Sequence, residues 1–117
     1  MKNENENLIV KLSIEFALEI ISYSEKLEEH KRFIISRQLL KSGTSIGANV
    51  REAQNAESKA DFIHKLKIAA KEAGETEYWL TLCELSPSYP NPENLRGKLQ
   101  SIINILSKII ITSKSTQ

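Results

Sequence analysis

The sequence predicts an all-α protein, an antiparallel up-and-down four-helix bundle built as a single domain over residues 1–117. Apolar residues recur at spacings of three and four along four long segments. The chain has only 4 Gly and 3 Pro, and 6% of its residues are aromatic, which disfavours a fold of many short strands. Its 117 residues suffice for one modest core, which association between chains would strengthen.

The first helix is predicted over residues 7–28, where a main apolar stripe runs from Ile9 to Leu27. A second apolar stripe lies beside it and contains Val10, Ile14, Ala17 and Ile21. Because the two stripes together cover a wide arc, we expect this helix to contact more than one neighbour.

The second helix is predicted over residues 33–55, although it contains two glycines. Each helical Gly costs about 1 kcal/mol relative to Ala, so propensity alone favours a break. Gly43 and Gly47 are four residues apart, however, and therefore share one face that another backbone can approach closely. We predict a continuous helix in which Gly43 and Gly47 form a face without side chains, the thin face of this helix. The alternative is a loop at Gly43.

The third helix is predicted over residues 59–85. Ser58 and Asp61 resemble a capping box at its start, with Asp in place of the usual Glu. A heptad-like apolar seam runs from Phe62 to Cys83. The small residues in mid-seam predict close helix packing and include Ala69 and Ala73.

The fourth helix is predicted over residues 92–111, with Asn91 as its N-cap, Pro92 at the first position and Glu93 in the first turn. Its apolar seam runs from Leu95 to Ile109. The polar tail, residues 112–117, is expected to fray.

Charge is unevenly distributed although the net charge is only +1. Residues 31–71 contain 9 Lys and Arg against 3 acids, which gives +6, whereas residues 72–93 contain 5 Glu and no base. A basic block favours an anionic partner. The alternative is internal pairing between neighbouring segments of opposite sign.

The N-terminus is polar and acidic, unlike a signal peptide, and no apolar run approaches the roughly 20 residues of a membrane span. We therefore expect a cytoplasmic protein with no membrane association. Cys83, the only cysteine, continues the apolar seam and is predicted to be a core residue.

The segment from Thr44 to Ala53 resembles a known family signature, S-I-x-A-N-I-x-E-G. It is found in the four-helix-bundle proteins encoded in intervening sequences of bacterial 23S ribosomal RNA genes. A second signature of this family is similar to the segment containing Phe62, Leu66, Ala69, Glu75-x-Glu77 and Trp79-Leu80. Ala53 stands in place of the usual Gly, and Glu72 in place of a frequent Ser.

This resemblance covers nearly the whole chain and implies an up-and-down bundle that assembles as a ring-shaped pentamer. The molecular function of the family is not established. A related protein, the accessory protein of diversity-generating retroelements, has a similar pentameric barrel and binds nucleic acid and a reverse transcriptase. The resemblance therefore implies interaction with nucleic acid or a ribonucleoprotein, with no defined activity.

No set of residues predicts catalysis or a cofactor. Asp61 and His64 share a helical face, but a two-metal bundle repeats such a motif on a second helix, and His30 lies in a charged turn. We expect no catalytic residue, no metal and no cofactor.

A polar network is predicted around the two signatures, either fixing helix register or lying at a subunit interface. Glu75 and Glu77 point about 200° apart on a helix, so they form no paired-carboxylate site. One of them is expected to reach Arg37 or Arg51 on the second helix. The network contains Asn49, Arg51, Glu52, Glu75 and Glu77.

The candidate nucleic-acid-binding residues are bases on helices two and three. Lys67 and Lys71 are four apart and share a face. Tyr78 and Trp79 are the candidates for stacking on a base, although Trp79 is expected at an interface. The candidate bases are Arg37, Lys41, Arg51, Lys59, Lys65, Lys67 and Lys71.

Three functions follow from these observations. The first is a non-enzymatic homo-oligomer, with a pentamer favoured, that binds RNA or DNA or a ribonucleoprotein without sequence specificity. The second is a structural module that recruits a protein partner and has no nucleic-acid role, which the small net charge favours. The third, which the single Asp61–His64 motif disfavours, is a metalloenzyme built on the bundle.

Overall fold

The computed structural model describes residues 4–115 and contains four helices: α1 (Glu4–Glu29), α2 (Phe33–Gln54), α3 (Lys59–Leu85) and α4 (Leu95–Ser115). Each helix packs against two others, in the cyclic order α1, α2, α3, α4. The described residues contain no strand and measure 50 × 21 × 18 Å. The predicted all-α four-helix fold is confirmed.

The up-and-down order is visible in the contacts between successive helices. Early residues of one helix meet late residues of its neighbour in the sequence, so successive helices are antiparallel. These contacts are the hydrogen bond from Ser36 Oγ to the Ser24 carbonyl (3.0 Å), that from Thr76 Oγ1 to Ser42 Oγ (2.9 Å), and the ion pair Arg96–Glu84 (3.1 Å).

The thin face of α2 packs against α1 within the same chain. A Cβ atom added to Gly43 would lie 2.8 Å from Ile20 Cγ2, and one added to Gly47 would lie 3.4 Å from the Ser13 carbonyl oxygen. The absence of Cβ atoms therefore sets how closely the two helices approach. Helix α2 runs unbroken through Gly43, so the continuous helix is confirmed and the loop alternative is wrong.

The predicted seam of α3 forms its core face. Ala69 and Ala73 are fully buried, and Thr76 is buried beside them. The Ser58 side chain accepts a hydrogen bond from the Asp61 N–H at 3.0 Å, which confirms the predicted cap. The Asp61 carboxylate accepts a hydrogen bond from the Glu57 N–H, whereas in a capping box it would accept from the N–H of Ser58.

Helix α4 begins at Leu95, so the predicted start at Pro92 is wrong. The side chain of Asn91 accepts from the Glu93 N–H at 2.8 Å and closes a turn rather than capping a helix. Glu93 then has a φ of 54°, which a right-handed helix cannot contain. The first helical hydrogen bond is accepted by the carbonyl of Asn94. At the other end, residues 112–115 are helical rather than frayed, and residues 116–117 lie outside the described residues.

Helix α1 ends in a Schellman motif. The N–H of Arg32 donates to the Leu27 carbonyl at 2.8 Å, and the N–H of Lys31 donates to that of Glu28 at 2.8 Å. Lys31 has a φ of 62°, the left-handed conformation in which Gly is the usual residue.

The connection between α3 and α4 is fixed to the bundle by two aromatic residues. The Tyr23 hydroxyl donates to the Pro90 carbonyl at 2.6 Å, and the guanidinium of Arg32 lies 4.9 Å from the centre of the Tyr89 ring. Burial, followed by the neighbouring Cys83 thiol, raises the pKa of Tyr23 above its usual range. Cys83 is buried in the core as predicted, and burial raises the pKa of its thiol.

Within residues 4–115, none of the helices is both long enough and apolar enough to cross a lipid bilayer.

Candidate nucleic-acid interface

Lys65 serves to join two helices. Its ammonium contacts the Glu52 carboxylate of α2 at 2.9 Å, and the pKa of Lys65 is raised by this hydrogen bond and by the charge of Glu52. The two side chains are 29% and 57% exposed, so the pair is screened by solvent and contributes little to stability. Lys65 is thus already engaged, which reduces its availability to an anionic ligand.

The candidate bases of α2 are separated along the helix, because Arg51 follows Lys41 by ten residues, a rise of about 15 Å. Arg51 lines an apolar groove between α1 and α2, together with Val10, Ile14 and Gly47. Arg37 and Lys41 are exposed on α2 away from its buried face. The bases of this helix therefore do not converge on one site.

Lys67 of α3 lies against a cation of the neighbouring helix. Its ammonium is in contact with that of Lys114 on α4, and this contact and the charge of Lys114 lower the pKa of Lys67. Lys71 is exposed one helical turn further along α3. Two ammonium groups held this close favour an anion between them, since an anion offsets their repulsion.

Lys114 was missed by the sequence analysis, which restricted the candidates to helices two and three. The four bases after residue 93, among 24 residues without an acid, were the signal that could have found it. Its proximity to Lys67 follows from the antiparallel packing of α3 and α4, which no local pattern encodes.

The predicted polar network is not formed within the chain. Glu52 pairs with Lys65 instead of with the other predicted members. The side chain of Asn49 donates to the Ser45 carbonyl of its own helix, and Glu75 accepts from Trp79 Nε1 at 3.4 Å. No ion pair among the described residues joins α2 to Glu75 or Glu77, or involves Arg51 or Arg37. The expectation that one of these glutamates reaches Arg37 or Arg51 is therefore wrong for the single chain.

The second apolar stripe of α1 stays largely at the surface. Ile14 is 52% exposed and Ile21 is 39% exposed, with Leu18 beside them at 62%. Ile14 and Leu18 line the groove that contains Arg51. Within one chain, the wide apolar arc of α1 is therefore only half covered.

The two histidines stay apart from any metal-ligand cluster. Among residues 4–115, no group of three or more His, Cys, Asp or Glu side chains is arranged to hold a metal ion. His64 is exposed on α3, and His30 Nδ1 contacts the Lys26 carbonyl at 2.8 Å.

The sequence profile of the 23S rRNA-intervening sequence proteins matches residues 5–111. The chain belongs to this family. Its fold is similar to a crystal structure from Bacteroides thetaiotaomicron VPI-5482, described as a protein of unknown function from the S23 ribosomal protein family. The two chains are 44% identical, with a TM-score of 0.86, over 92% of this chain and 98% of the other. Among curated proteins, no sequence matches this chain.

Proposed function

We propose that this protein is a non-enzymatic, cytoplasmic nucleic-acid-binding or ribonucleoprotein-binding bundle that contacts phosphates through exposed bases of α2 and α3. The basic surface that Lys67 and Lys71 form one helical turn apart on α3, beside Lys114 of α4, carries the proposal, because a phosphate bound there offsets the repulsion between the ammonium groups.

Contacts of this kind bind the sugar–phosphate backbone rather than a base sequence. Flexible lysines at the surface of a helix offer point charges, and each phosphate neutralised releases a counterion. We therefore expect affinity that falls steeply with salt and depends little on sequence. No cofactor is needed for such binding.

The proposal includes a homo-oligomer, with the pentamer that the family resemblance implies. Support comes from the exposed stripe of α1, in which Ile14, Leu18 and Ile21 leave an apolar surface that association would cover. A ring would present several copies of each basic surface, so that weak contacts add through avidity.

The oligomer is tested by light scattering on a sizing column. We expect a mass several times the 13.2 kDa of one chain, and a return to that mass in the double variant Ile14→Glu, Leu18→Glu. Lys26→Glu, on the same helix but outside this stripe, is the control for an added acid. A wild-type monomer at micromolar concentration would refute association through this stripe.

The nucleic-acid function is tested with labelled single- and double-stranded RNA, including ribosomal RNA fragments, at two salt concentrations. We expect salt-sensitive binding that weakens in the double variant Lys67→Glu, Lys71→Glu. The matched control is Lys26→Glu, because Lys26 is an exposed base on α1 outside the apolar stripe, and α1 does not pack against α3. An affinity unchanged in the double variant would count against α3, and a wild-type protein that binds no RNA at low salt would refute the function.

A protein-interaction module remains the second candidate, because three apolar side chains are exposed near one end of the bundle. Phe33 and Ile34 begin α2 and are 48% and 76% exposed, and Leu85 ends α3 at 73%. A stable protein partner recovered after nuclease treatment, and lost in Ile34→Glu, would favour this function over the first.

A further inference from the structure

Gly74 has no structural explanation within the chain. It lies in the interior of α3, where Gly is less favourable than Ala. An added Cβ would have no heavy atom within 4 Å, and the residue is exposed. Gly97 also has open space, but it stands in the first turn of α4, where the loss of helix propensity matters less. An exposed glycine in mid-helix suits the close approach of another molecule.

The exposed residues around Gly74 form a ridge along α3, which consists of Lys67, Lys71, Gly74 and Tyr78. Their spacing of four, three and four residues places them on one helical face, and all four are exposed. The ridge is about 16 Å long from end to end. Lys114 of α4 contacts its basic end.

The two ends of the ridge differ in chemistry. Lys67 and Lys71 give one end positive charge, whereas the other carries the Tyr78 ring, 58% exposed and 5.1 Å from the Trp79 ring in an edge-to-face arrangement. Glu75 lies beside this aromatic end, with its carboxylate 3.4 Å from Trp79 Nε1. A carboxylate repels phosphate but not a neutral base, so the aromatic end suits a nucleobase rather than the backbone.

We propose that the ridge binds a single-stranded nucleic acid, with phosphates on Lys67, Lys71 and Lys114, the strand passing close over Gly74, and one unstacked base on Tyr78. This rests on the proposed function and narrows it to single strands. Bases in a duplex stack on one another, so Tyr78 cannot reach their faces. In a single strand, each base has a face on which the Tyr78 ring can stack.

The experiment measures binding of a labelled single-stranded RNA of about ten nucleotides, its duplex, and a strand of the same backbone without bases. For Tyr78→Ala we expect binding of the single strand to weaken about fivefold or more, with the salt dependence unchanged and the abasic strand unaffected. For Lys67→Glu we expect weaker binding of the single strand and the abasic strand alike, and a shallower salt dependence. The matched controls are Ile34→Ala, for loss of an exposed apolar group, and Lys26→Glu, for charge.

The variant Gly74→Gln distinguishes an effect on nucleic-acid binding from an effect on stability. A glutamine favours the helix and meets no neighbour in the chain, so the unfolding midpoint should rise, while its side chain obstructs the strand and weakens binding. A purely structural glycine would not move stability and binding in opposite directions.

Three outcomes would refute binding of a single strand at the ridge. Unchanged single-strand affinity in Tyr78→Ala and Gly74→Gln, with a loss in Lys41→Glu, would move the contact to α2 and leave the proposed function standing. A change of oligomeric mass in Gly74→Gln without a change in binding would make the ridge a contact between copies of the chain. A wild-type protein that binds none of the three probes would refute both the ridge and the proposed function.

Discussion

Two glycine-to-alanine substitutions at different places in the bundle should have opposite effects on stability. Gly43 lies in the contact between α2 and α1, and an added Cβ would sit 2.8 Å and 3.0 Å from the two γ carbons of Ile20. Gly74 is exposed in mid-helix, where an added Cβ has no heavy atom within 4 Å. Both are helix-interior positions, so both substitutions bring the same gain in helix propensity, about 1 kcal/mol.

The difference between the two variants therefore isolates the steric term at Gly43. Ile20 is fully buried and β-branched, and its Cβ is itself 3.3 Å from the added atom, so a simple rotation does not relieve the clash. Overpacking of this kind costs about 1–3 kcal/mol. We expect Gly74→Ala to stabilise the fold by about 1 kcal/mol and Gly43→Ala to be less stable than Gly74→Ala by about 1–3 kcal/mol.

The assay is urea unfolding followed by far-ultraviolet circular dichroism at one fixed protein concentration, because association would add to the apparent stability. In an Ile20→Ala background, which removes both γ carbons, Gly43→Ala should lose most of its steric cost relative to Gly74→Ala. Equal midpoints for Gly43→Ala and Gly74→Ala in the wild-type background would refute the close approach of α1 and α2 at Gly43.

Three further predictions follow from buried or strained groups. Burial raises the pKa of Tyr23, so the unfolded chain loses the phenolic proton at a lower pH than the folded chain, and the free energy of unfolding falls as the pH rises above about 10. In Tyr23→Phe, the melting temperature should fall less between neutral and alkaline pH than it does in the wild type. Thr76→Val removes the donor to Ser42 Oγ inside the core and should cost about 1–2 kcal/mol in urea unfolding, and no loss would mean that the hydroxyl contributes nothing there. Lys31→Gly relieves the left-handed φ of 62° and should add about 1 kcal/mol, whereas a loss of stability would contradict the Schellman motif.

Local patterns predicted most of the fold because each helix of this protein has a regular apolar repeat. The seam of α3 and the cap at Ser58 were both predicted from spacing, and both are present. The start of α4 was predicted wrongly, since Asn91 and Pro92 fit a helix start and a turn equally well. Only the left-handed φ of Glu93 distinguishes the two, and sequence propensity does not favour it for a glutamate.

The candidate site was predicted less well than the fold, because surface charge carries no periodic constraint. Lys65 was grouped with the other bases, although Glu52 engages it across the helix pair. Lys114 was not considered, although it contacts Lys67. The pairing of charged side chains depends on how helices that are distant in sequence pack together. Exposed side chains can also be replaced without changing the apolar repeat, so the repeat does not predict which charges meet.

By itself, the sequence determined the fold class, the number of helices, most of the residues that face the core, and the family to which the chain belongs. Apolar periodicity fixes the fold class, the helices and the core residues, because burial of an amphipathic face is the dominant stabilising term for a helix, whereas the two signature segments indicate the family. Only the tertiary structure decided that the thin face of α2 packs on α1, that the second stripe of α1 remains exposed, and that Gly74 has open space around it. These properties depend on the distances between helices, which are set jointly by all the side chains at each contact and not by any one segment.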